Sequence, residues 1–331
     1  MIVSKTPFRI SFFGGGSDFP LFYNENGGAV LSTTINKYGY INCRFLPNFF
    51  EYKHHFTYSK IESVNNTNEI QHPVIKAVLE RYPLERGLEI GYNADLPARS
   101  GLGSSSAFTA GLLNTLHALQ GKMVTKSELL RQTLEIEHKI LNEHSGSQDQ
   151  TAAVFGGFNF IQFTKEGEIL PQKVIAPSDN IKQLEDSILL IFTGIQRFAE
   201  NIEKDKIKQL EKKKSHYVTM HQMAIDAYAL LQSDNFSLNA FSDLLNESWR
   251  VKQDLSNKVS NDYILEIQKV GLSAGALGAK ILGAGGGGFI LFLVNPEKRQ
   301  QVIEKLKPLI HIPVKFERSG TSIVIYEPDG I

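Results

Sequence analysis

The chain has 331 residues, 42% of them hydrophobic and 21% charged, a soluble-protein composition long enough for two cores. Lys plus Arg and Asp plus Glu balance at 35 each, so no overall field draws the chain to nucleic acid or to a membrane surface. The single cysteine, Cys43, excludes an internal disulfide and a multi-cysteine zinc site and fits the reducing cytoplasm, where the protein is expected.

The amino terminus, Met1-Ile2-Val3-Ser4-Lys5-Thr6-Pro7-Phe8-Arg9, is interrupted by charge and proline too early for a signal peptide. Strands are predicted on either side of Pro7, over 2–3 and 9–13. Gly14-Gly15-Gly16-Ser17-Asp18 follows. Its glycines permit a tight turn and close approach of a ligand, and they deliver Ser17 and Asp18 to one point. Asp accepts hydrogen bonds well from sugar hydroxyls, although a plain turn explains the segment equally well. β-Branched and aromatic residues predict strands over 30–40 and 40–46. The Asn-rich stretch 63–69 reads as a loop, 74–81 as a helix and 88–92 as a strand.

Pro97-Ala98-Arg99-Ser100-Gly101-Leu102-Gly103-Ser104-Ser105-Ser106-Ala107 is the most informative segment. Glycine lets backbone approach a ligand, and serines at a helix start place hydroxyls beside unpaired N–H groups. Such an end carries partial positive charge and suits an anion, above all a phosphate. A flexible linker is the other reading, opposed by Leu102 and the apolar run after Ala107. No Lys follows the glycines where a Walker A loop needs one. The helix begun here should end near Gly121.

Thr125-Lys126-Ser127-Glu128 forms a capping box and predicts a second helix to about Asn142. Leu130, Leu134, Glu137 and Leu141 fall on one stripe of it, so a carboxylate shares a face with leucines. Burying it requires a cation. Magnesium, which takes few protein ligands, could be held by Glu137 and one serine hydroxyl; a Lys or Arg partner at the stripe's edge is the alternative. In Ser145-Gly146-Ser147-Gln148-Asp149-Gln150, the local pattern favours Asp149 as a helix N-cap over an acid–base role. Alternation over 158–163 predicts a strand.

Residues 178–186 read as a connector, with a domain boundary near 180, giving domains 1–180 and 181–331. A strand is expected at 188–192, long helices over 198–232 and 238–270, and short strands at 279–282 and 289–294. A helix over 297–310 and strands at 314–318 and 322–326 complete a split βαβ, ferredoxin-like order. The mixed charges of 203–214 read as the solvated face of a helix. The longest apolar run, 289–294, is too short to span a bilayer. The glycines between 283 and 288 exceed what a hairpin needs and suggest backbone that must come close to a ligand; a purely structural loop is the other reading.

Three segments together resemble the GHMP small-molecule kinases: Pro7 to Asp18, Pro97 to Ala107, and Lys280 to Phe289, in the family's order and spanning essentially the whole chain. The triple glycine, Gln148-Asp149-Gln150 and Trp249-Arg250-Val251-Lys252 look most like the D-glycero-D-manno-heptose 7-phosphate kinases. The chain departs from their pattern at Ser17, at Ser147 and at Arg99-Ser100. The resemblance implies an α+β fold with a ribosomal-S5-like N-terminal domain and a ferredoxin-like C-terminal domain. It implies ATP and Mg²⁺ as cofactors. Gly101, Leu102, Gly103, Ser104, Ser105 and Ser106 would wrap the ATP phosphates, joined by Gly285, Gly286 and Gly287. Ser105 and Glu137 would hold magnesium. Asp149 would be the catalytic aspartate supported by Arg9, and Gly16, Ser17 and Asp18 would hold the sugar. The implied reaction is phosphorylation of the anomeric hydroxyl of heptose 7-phosphate to the 1,7-bisphosphate, for nucleotide-heptose and surface-glycan synthesis. A kinase of an unphosphorylated sugar, of fucokinase or galactokinase type, is the alternative. A non-catalytic sugar sensor is opposed by the joint presence of Arg9, Ser105, Glu137 and Asp149. Arg197, Lys252, Lys37 and Arg44 are candidates to bind a substrate phosphate. The expected partner is a small sugar or sugar phosphate, with no nucleic acid and no membrane; a homo-oligomer stays open.

Overall fold

The computed structural model describes residues 1–196 and 200–328. Strand β1 (Ile2–Phe13) runs straight through Pro7, because the register shifts between Pro7 and Phe8 and the ladder there does not need the missing N–H. After α1 (Pro20–Asn26), the two strands expected over 30–46 are one long strand, β2 (Gly28–Phe45), antiparallel to β1. The expected loop at 63–69 is partly ordered: β3 (His54–Thr57) and β4 (Ile61–Val64) form a hairpin, and Glu69 closes a capping box on Asn66. Next come α2 (Pro73–Arg81), β5 (Leu88–Ala94), α3 (Ser104–Leu119) and α4 (Lys126–Leu134), which continues as a π-helical turn over 135–140. Then α5 (Gln148–Phe155), β6 (Phe158–Phe163) and β7 (Ile169–Lys173) end the first half.

The expected connector at 178–186 is instead a helix, α6 (Ser178–Ser187). Its buried Asn180 and Leu184 anchor it: the Asn180 amide donates to the carbonyls of Leu231 and Ser233. After β8 (Ile188–Phe192), the long helices are broken into α7 (Glu200–Lys208), α8 (Lys214–Gln232), α9 (Leu238–Gln253) and α10 (Asp262–Ser273). The side chains of Ser237 and Asn261 cap the starts of α9 and α10. Strands β9 (Ala276–Ile281) and β10 (Phe289–Val294), α11 (Arg299–Lys305) and β11 (Ile310–Ile312) complete a sheet of order β11-β8-β10-β9, the antiparallel arrangement of a split βαβ.

The strands expected at 314–318 and 322–326 do not join that sheet. β12 (Phe316–Glu317) pairs with β2, and β13 (Ser322–Tyr326) pairs with β1, so the chain's end returns to the first half. The partition at residue 180 therefore falls inside α6, and a second half running to the end of the chain does not match the pairing. One core joins the halves, with Phe8, Phe12 and Phe13 from β1 packed in the same cluster as Phe241, Leu282 and Leu291. The alternate residues Leu189, Ile191, Ile290 and Phe292 face the other side, beneath α10 and α11. No helix among the described residues is long and apolar enough to cross a membrane.

Candidate active site

Arg9 organises the site. It lies on β1, only 4% exposed, where an unpaired guanidinium would be costly. Its Nε and Nη2 donate to Asp149 Oδ1 and Oδ2 at 2.7 and 2.8 Å, a two-point fork that fixes the carboxylate's plane. Its Nη1 donates to the carbonyl of Gly101 at 2.6 Å, and its backbone N–H to that of Leu102 at 3.0 Å. One residue thus ties β1, the Gly/Ser segment and α5 together. The N-cap of α5 is Ser147, so Asp149 is not the cap that the local pattern favours; its carboxylate is committed to Arg9.

The Gly/Ser segment forms the expected helix start. Gly103 sits in the left-handed region (φ 75°) as N-cap of α3, with no side-chain capping bond. The N–H groups of Ser104, Ser105 and Ser106 have no hydrogen-bond partner among the described residues. An anion placed there meets three open donors and the positive end of a 16-residue helix. A side chain at Gly103 would also press on Arg9 and Asp149, so the glycine keeps the carboxylate and the helix start adjacent. Leu102 is buried in the core and serves packing.

Ser105 and Glu137 are expected to hold magnesium together; the serine hydroxyl that Glu137 itself meets is that of Ser106. Ser106 donates to Glu137 Oε2 at 2.9 Å, and Gln150 Nε2 donates to the same oxygen at 2.6 Å. Ser105, one residue and about 100° back around the helix, is exposed. Glu137 is 1% exposed and no Lys or Arg pairs with it among the described residues; its Oε1 makes no formed hydrogen bond, although the Thr109 hydroxyl, which donates to the Ser105 carbonyl, lies close enough to favour the charged form of Glu137. The edge-of-stripe alternative is thereby excluded. Burial, with Glu143 nearby, pushes its pKa up to about 8. A buried carboxylate with an orphaned oxygen beside a serine hydroxyl is a donor set that fits one Mg²⁺ keeping most of its own water and phosphate ligands.

Asp18 lies against the start of α5, close to Asp149. It is buried, and accepts from the backbone N–H of Gly16 at 2.7 Å and of Gln148 at 3.2 Å. A Cβ at Gly146 would collide with its carboxylate, so the glycine makes room for it. Burial pushes its pKa up to about 6, and the charges of Asp149 and Glu203 add to that rise. Tyr23 and Tyr217 also face it and sense its charge. With the acceptor site formed by an ionised Asp18, kcat/KM for the acceptor should fall as pH drops below about 6, where the proton removes acceptor capacity. A flat profile of kcat/KM between pH 5 and 7 would remove Asp18 from acceptor binding.

Ser17, expected to touch the sugar, is fully buried. Its single hydroxyl proton is shared between the carbonyls of Gly14 and Ala29, both within reach, and its oxygen accepts from the Ala29 N–H, so it staples the turn. Gly16 acts through Asp18. The third glycine run also has a packing explanation that the sequence left open. Gly283 and Gly101 meet so closely that a Cβ on Gly283 would stand 2.5 Å from the Gly101 Cα. Gly285 lies against Val259, Gly286 donates to the Val259 carbonyl, and Gly287 lies against Ile195. Gly283 therefore holds the third segment against the second, while Gly285, Gly286 and Gly287 pack on Val259 and Ile195.

Lys280 is the residue the sequence did not single out. Only 2% exposed on β9, it donates to the carbonyls of Ser11 and Phe12, just before the triple glycine. Burial, with Arg9 and Lys206 nearby, lowers its pKa to about 7. The only signal was a lysine inside an apolar strand. Of the candidate phosphate-binding bases, Arg44 pairs with Glu89 beside the start of β1, about 30 Å along the strand from the site. Lys252 donates to the Gly283 carbonyl, and Lys37 stands at the bulge opposite Pro7 and Phe8. Arg197 lies outside the described residues.

Comparison with known proteins matches residues 68–157 to the N-terminal domain of the GHMP kinases and 227–309 to their C-terminal domain. The D-glycero-alpha-D-manno-heptose 7-phosphate kinase of Campylobacter jejuni is 32% identical, covering 92% of this chain and 93% of that protein. The galactokinase of Pyrococcus furiosus is 23% identical over 100% of this chain and 99% of its own. Among solved structures, a D-glycero-D-manno-heptose 1-phosphate kinase from Bacteroides thetaiotaomicron superposes with a TM-score of 0.81 at 26% identity, covering 99% of this chain and 100% of that one. The Lactococcus lactis galactokinase complexed with galactose, at 19% identity and TM-score 0.72 over 97% of this chain and 94% of its own, shares the fold. The chain belongs to the GHMP kinases and is a phosphotransferase of that family.

Proposed function

We propose that this protein is an ATP-dependent sugar kinase that phosphorylates the anomeric hydroxyl of D-glycero-D-manno-heptose 7-phosphate. The observation that carries phosphoryl transfer is the Asp149 carboxylate, gripped by buried Arg9 and set beside the open N–H groups of α3. The heptose acceptor is supported by likeness along 92% of the chain to a heptose 7-phosphate kinase.

Phosphoryl transfer needs positioning and neutralisation of charge more than covalent chemistry from the protein. In this reading the first turn of α3 holds the ATP phosphates through its N–H groups. Asp149 orients the acceptor hydroxyl and takes its proton. Arg9 keeps the Asp149 carboxylate in plane and in place. Asp18, fixed by two backbone N–H groups, accepts hydrogen bonds from the sugar's other hydroxyls. Glu137 and the α3 serines would hold Mg²⁺, which when bound supplies positive charge against the transferring phosphoryl group. Ser106 and Gln150 orient Glu137 for that task.

A second reading, a kinase of an unphosphorylated sugar, is favoured by full-length likeness to galactokinases at 23–24% identity. ADP release measured on heptose 7-phosphate, on the free heptose, and on galactose and fucose decides between them. Turnover on the free sugars with none on heptose 7-phosphate would overturn the heptose 7-phosphate assignment.

A further inference from the structure

Strand β9 carries a lysine into the core that joins the halves. Its residues Ala279 and Ile281 face the cluster beneath α10 and α11, so Lys280 and Leu282 face the other cluster, which holds Phe12, Phe13 and Phe241. The Lys280 ammonium stands 5.9 Å from the centre of the Phe13 ring. A buried amine is costly unless it is hydrogen-bonded. Two carbonyls of β1 meet it, that of Ser11 at 3.3 Å and that of Phe12. Both lie where β1 leaves its ladder: the register with β2 passes from Ser11–Ser32 directly to Phe13–Leu31, so Phe12 has no partner residue there.

This contact stands between the two parts of the site. Arg9 lies two residues before Ser11, about 7 Å along the strand. The turn from Gly14 to Phe19 begins two residues after Phe12 and is tied into one unit by its own bonds. The Ser17 N–H donates to the Gly14 carbonyl, the Gly16 N–H to the Asp18 carboxylate, and the Phe19 N–H to the Gly16 carbonyl. The far end of the turn is fixed on α5, where the Ser147 N–H donates to the Asp18 carbonyl and the Gln148 N–H to its carboxylate. The near end is fixed by Lys280. Three residues beyond Lys280, Gly283 packs on Gly101, whose carbonyl accepts from Arg9. Lys280, Ser11, Arg9, Gly101 and Gly283 therefore close a ring of contacts that joins β9, β1 and the Gly/Ser segment.

We infer that Lys280 is a positioning residue for the acceptor: by gripping the carbonyls of Ser11 and Phe12 it holds the Gly14–Asp18 turn, and with it the Asp18 carboxylate, in register with Asp149. The inference rests on the proposed sugar kinase function and deepens it. Lys280 is buried and acts through the turn. An apolar residue at 280 would suit the strand and the core, but it would leave two buried carbonyls without their donor. β1 would then shift to find other partners, and a displacement of about 1 Å at the reacting groups can cost about 100-fold in rate. The start of α3 has anchors of its own, because Arg9 bonds the carbonyls of Gly101 and Leu102 directly. The damage should therefore fall on the acceptor and spare ATP. A purely structural lysine would instead lower the unfolding temperature and leave the kinetics of the folded enzyme alone.

The test compares three variants. Lys280→Met keeps the stem and removes the donor, Lys280→Gln keeps a polar end too short for both carbonyls, and Lys280→Arg keeps donors for both. ADP release is measured against ATP and against the sugar that the wild type turns over, heptose 7-phosphate in the proposed reading. Thermal unfolding and binding of a non-hydrolysable ATP analogue are recorded alongside. For Lys280→Met, KM for the sugar should rise and kcat fall, lowering kcat/KM for the sugar by roughly 10- to 100-fold, while KM for ATP stays within about twofold. Lys280→Gln should show the same selective loss, and it carries the test if the Met variant does not fold. Lys280→Arg should recover most of the loss. A folded Met or Gln variant with wild-type kcat/KM for the sugar, or one in which KM for ATP rises as much as KM for the sugar, overturns the inference while the proposed function stands. A wild type that releases no ADP with any of the sugars overturns the proposed function, and the inference falls with it.

Discussion

Asp149→Asn should lower kcat by roughly 10²–10⁴-fold, the range that a positioned general base contributes. ATP binding should persist, because the proposed phosphate cradle consists of backbone N–H groups at the start of α3 and does not include the carboxylate. The substitution also leaves the buried Arg9 with an amide in place of a two-oxygen acceptor. Only one oxygen can then accept, and the amide nitrogen faces a guanidinium N–H, so stability should drop by about 1–3 kcal/mol. Asp149 is 27% exposed on its side chain, which admits water and moderates that loss. Arg9→Lys separates the two roles. It keeps a positive charge but cannot make the fork or reach the Gly101 carbonyl at the same time, so part of the rate should be lost while ATP still binds. Steady-state ADP release together with binding of a non-hydrolysable ATP analogue reads both. Near-normal turnover by the Asn variant would rule out the base.

How much of this was legible depends on whether the determining contacts are local. The Gly/Ser segment was legible as a helix start because that start is encoded within about ten residues, and α3 begins at Ser104 as its serines require. Glu137 was legible from its stripe, which predicted burial next to leucines. Its partner was not: a shift of one residue on α3 turns Ser105 outward and Ser106 inward, and only the packing of α3 against the π-helical turn decides between them. Asp149 shows the same limit from the other side. Locally it looks like a cap, and the arginine that claims it lies 140 residues away. The strands at the chain's end were placed by type but not by partner. A strand's sequence announces its alternation, not which sheet edge waits for it, and β13 finds β1 rather than the nearer β11. Lys280 was hidden for a related reason. Its value lies in bridging β9 to the carbonyls that precede Gly14, a contact spanning 268 residues.

Glu137→Gln should uncouple the enzyme from magnesium without unfolding it. Gln fills the same volume, and its Oε1 can keep accepting from Ser106 and Gln150. What it loses is a carboxyl that can give up its proton to a cation: burial pushes the pKa of Glu137 up to about 8, and a bound Mg²⁺ would favour its ionised form, which an amide cannot supply. Magnesium favours charged oxygen ligands, so the half-saturating Mg²⁺ should rise by roughly 10–100-fold or more, the range seen when only the outer partners of a metal ligand are removed. Thermal unfolding without nucleotide should be nearly unchanged, because no ion pair is broken. Unfolding with Mg²⁺ and a non-hydrolysable ATP analogue should lose most of the upward shift that the wild type shows, since ligand stabilisation follows affinity. Ser105→Ala and Ser106→Ala should each move the Mg²⁺ titration in the same direction but less, one by removing a hydroxyl from the helix mouth and the other by releasing the Glu137 carboxylate. The discriminating measurement is the Mg²⁺ titration at fixed, saturating total ATP. If Glu137→Gln titrates like the wild type, Glu137 is a buried structural acid held by Ser106 and Gln150, and the metal, if one is used, is held elsewhere.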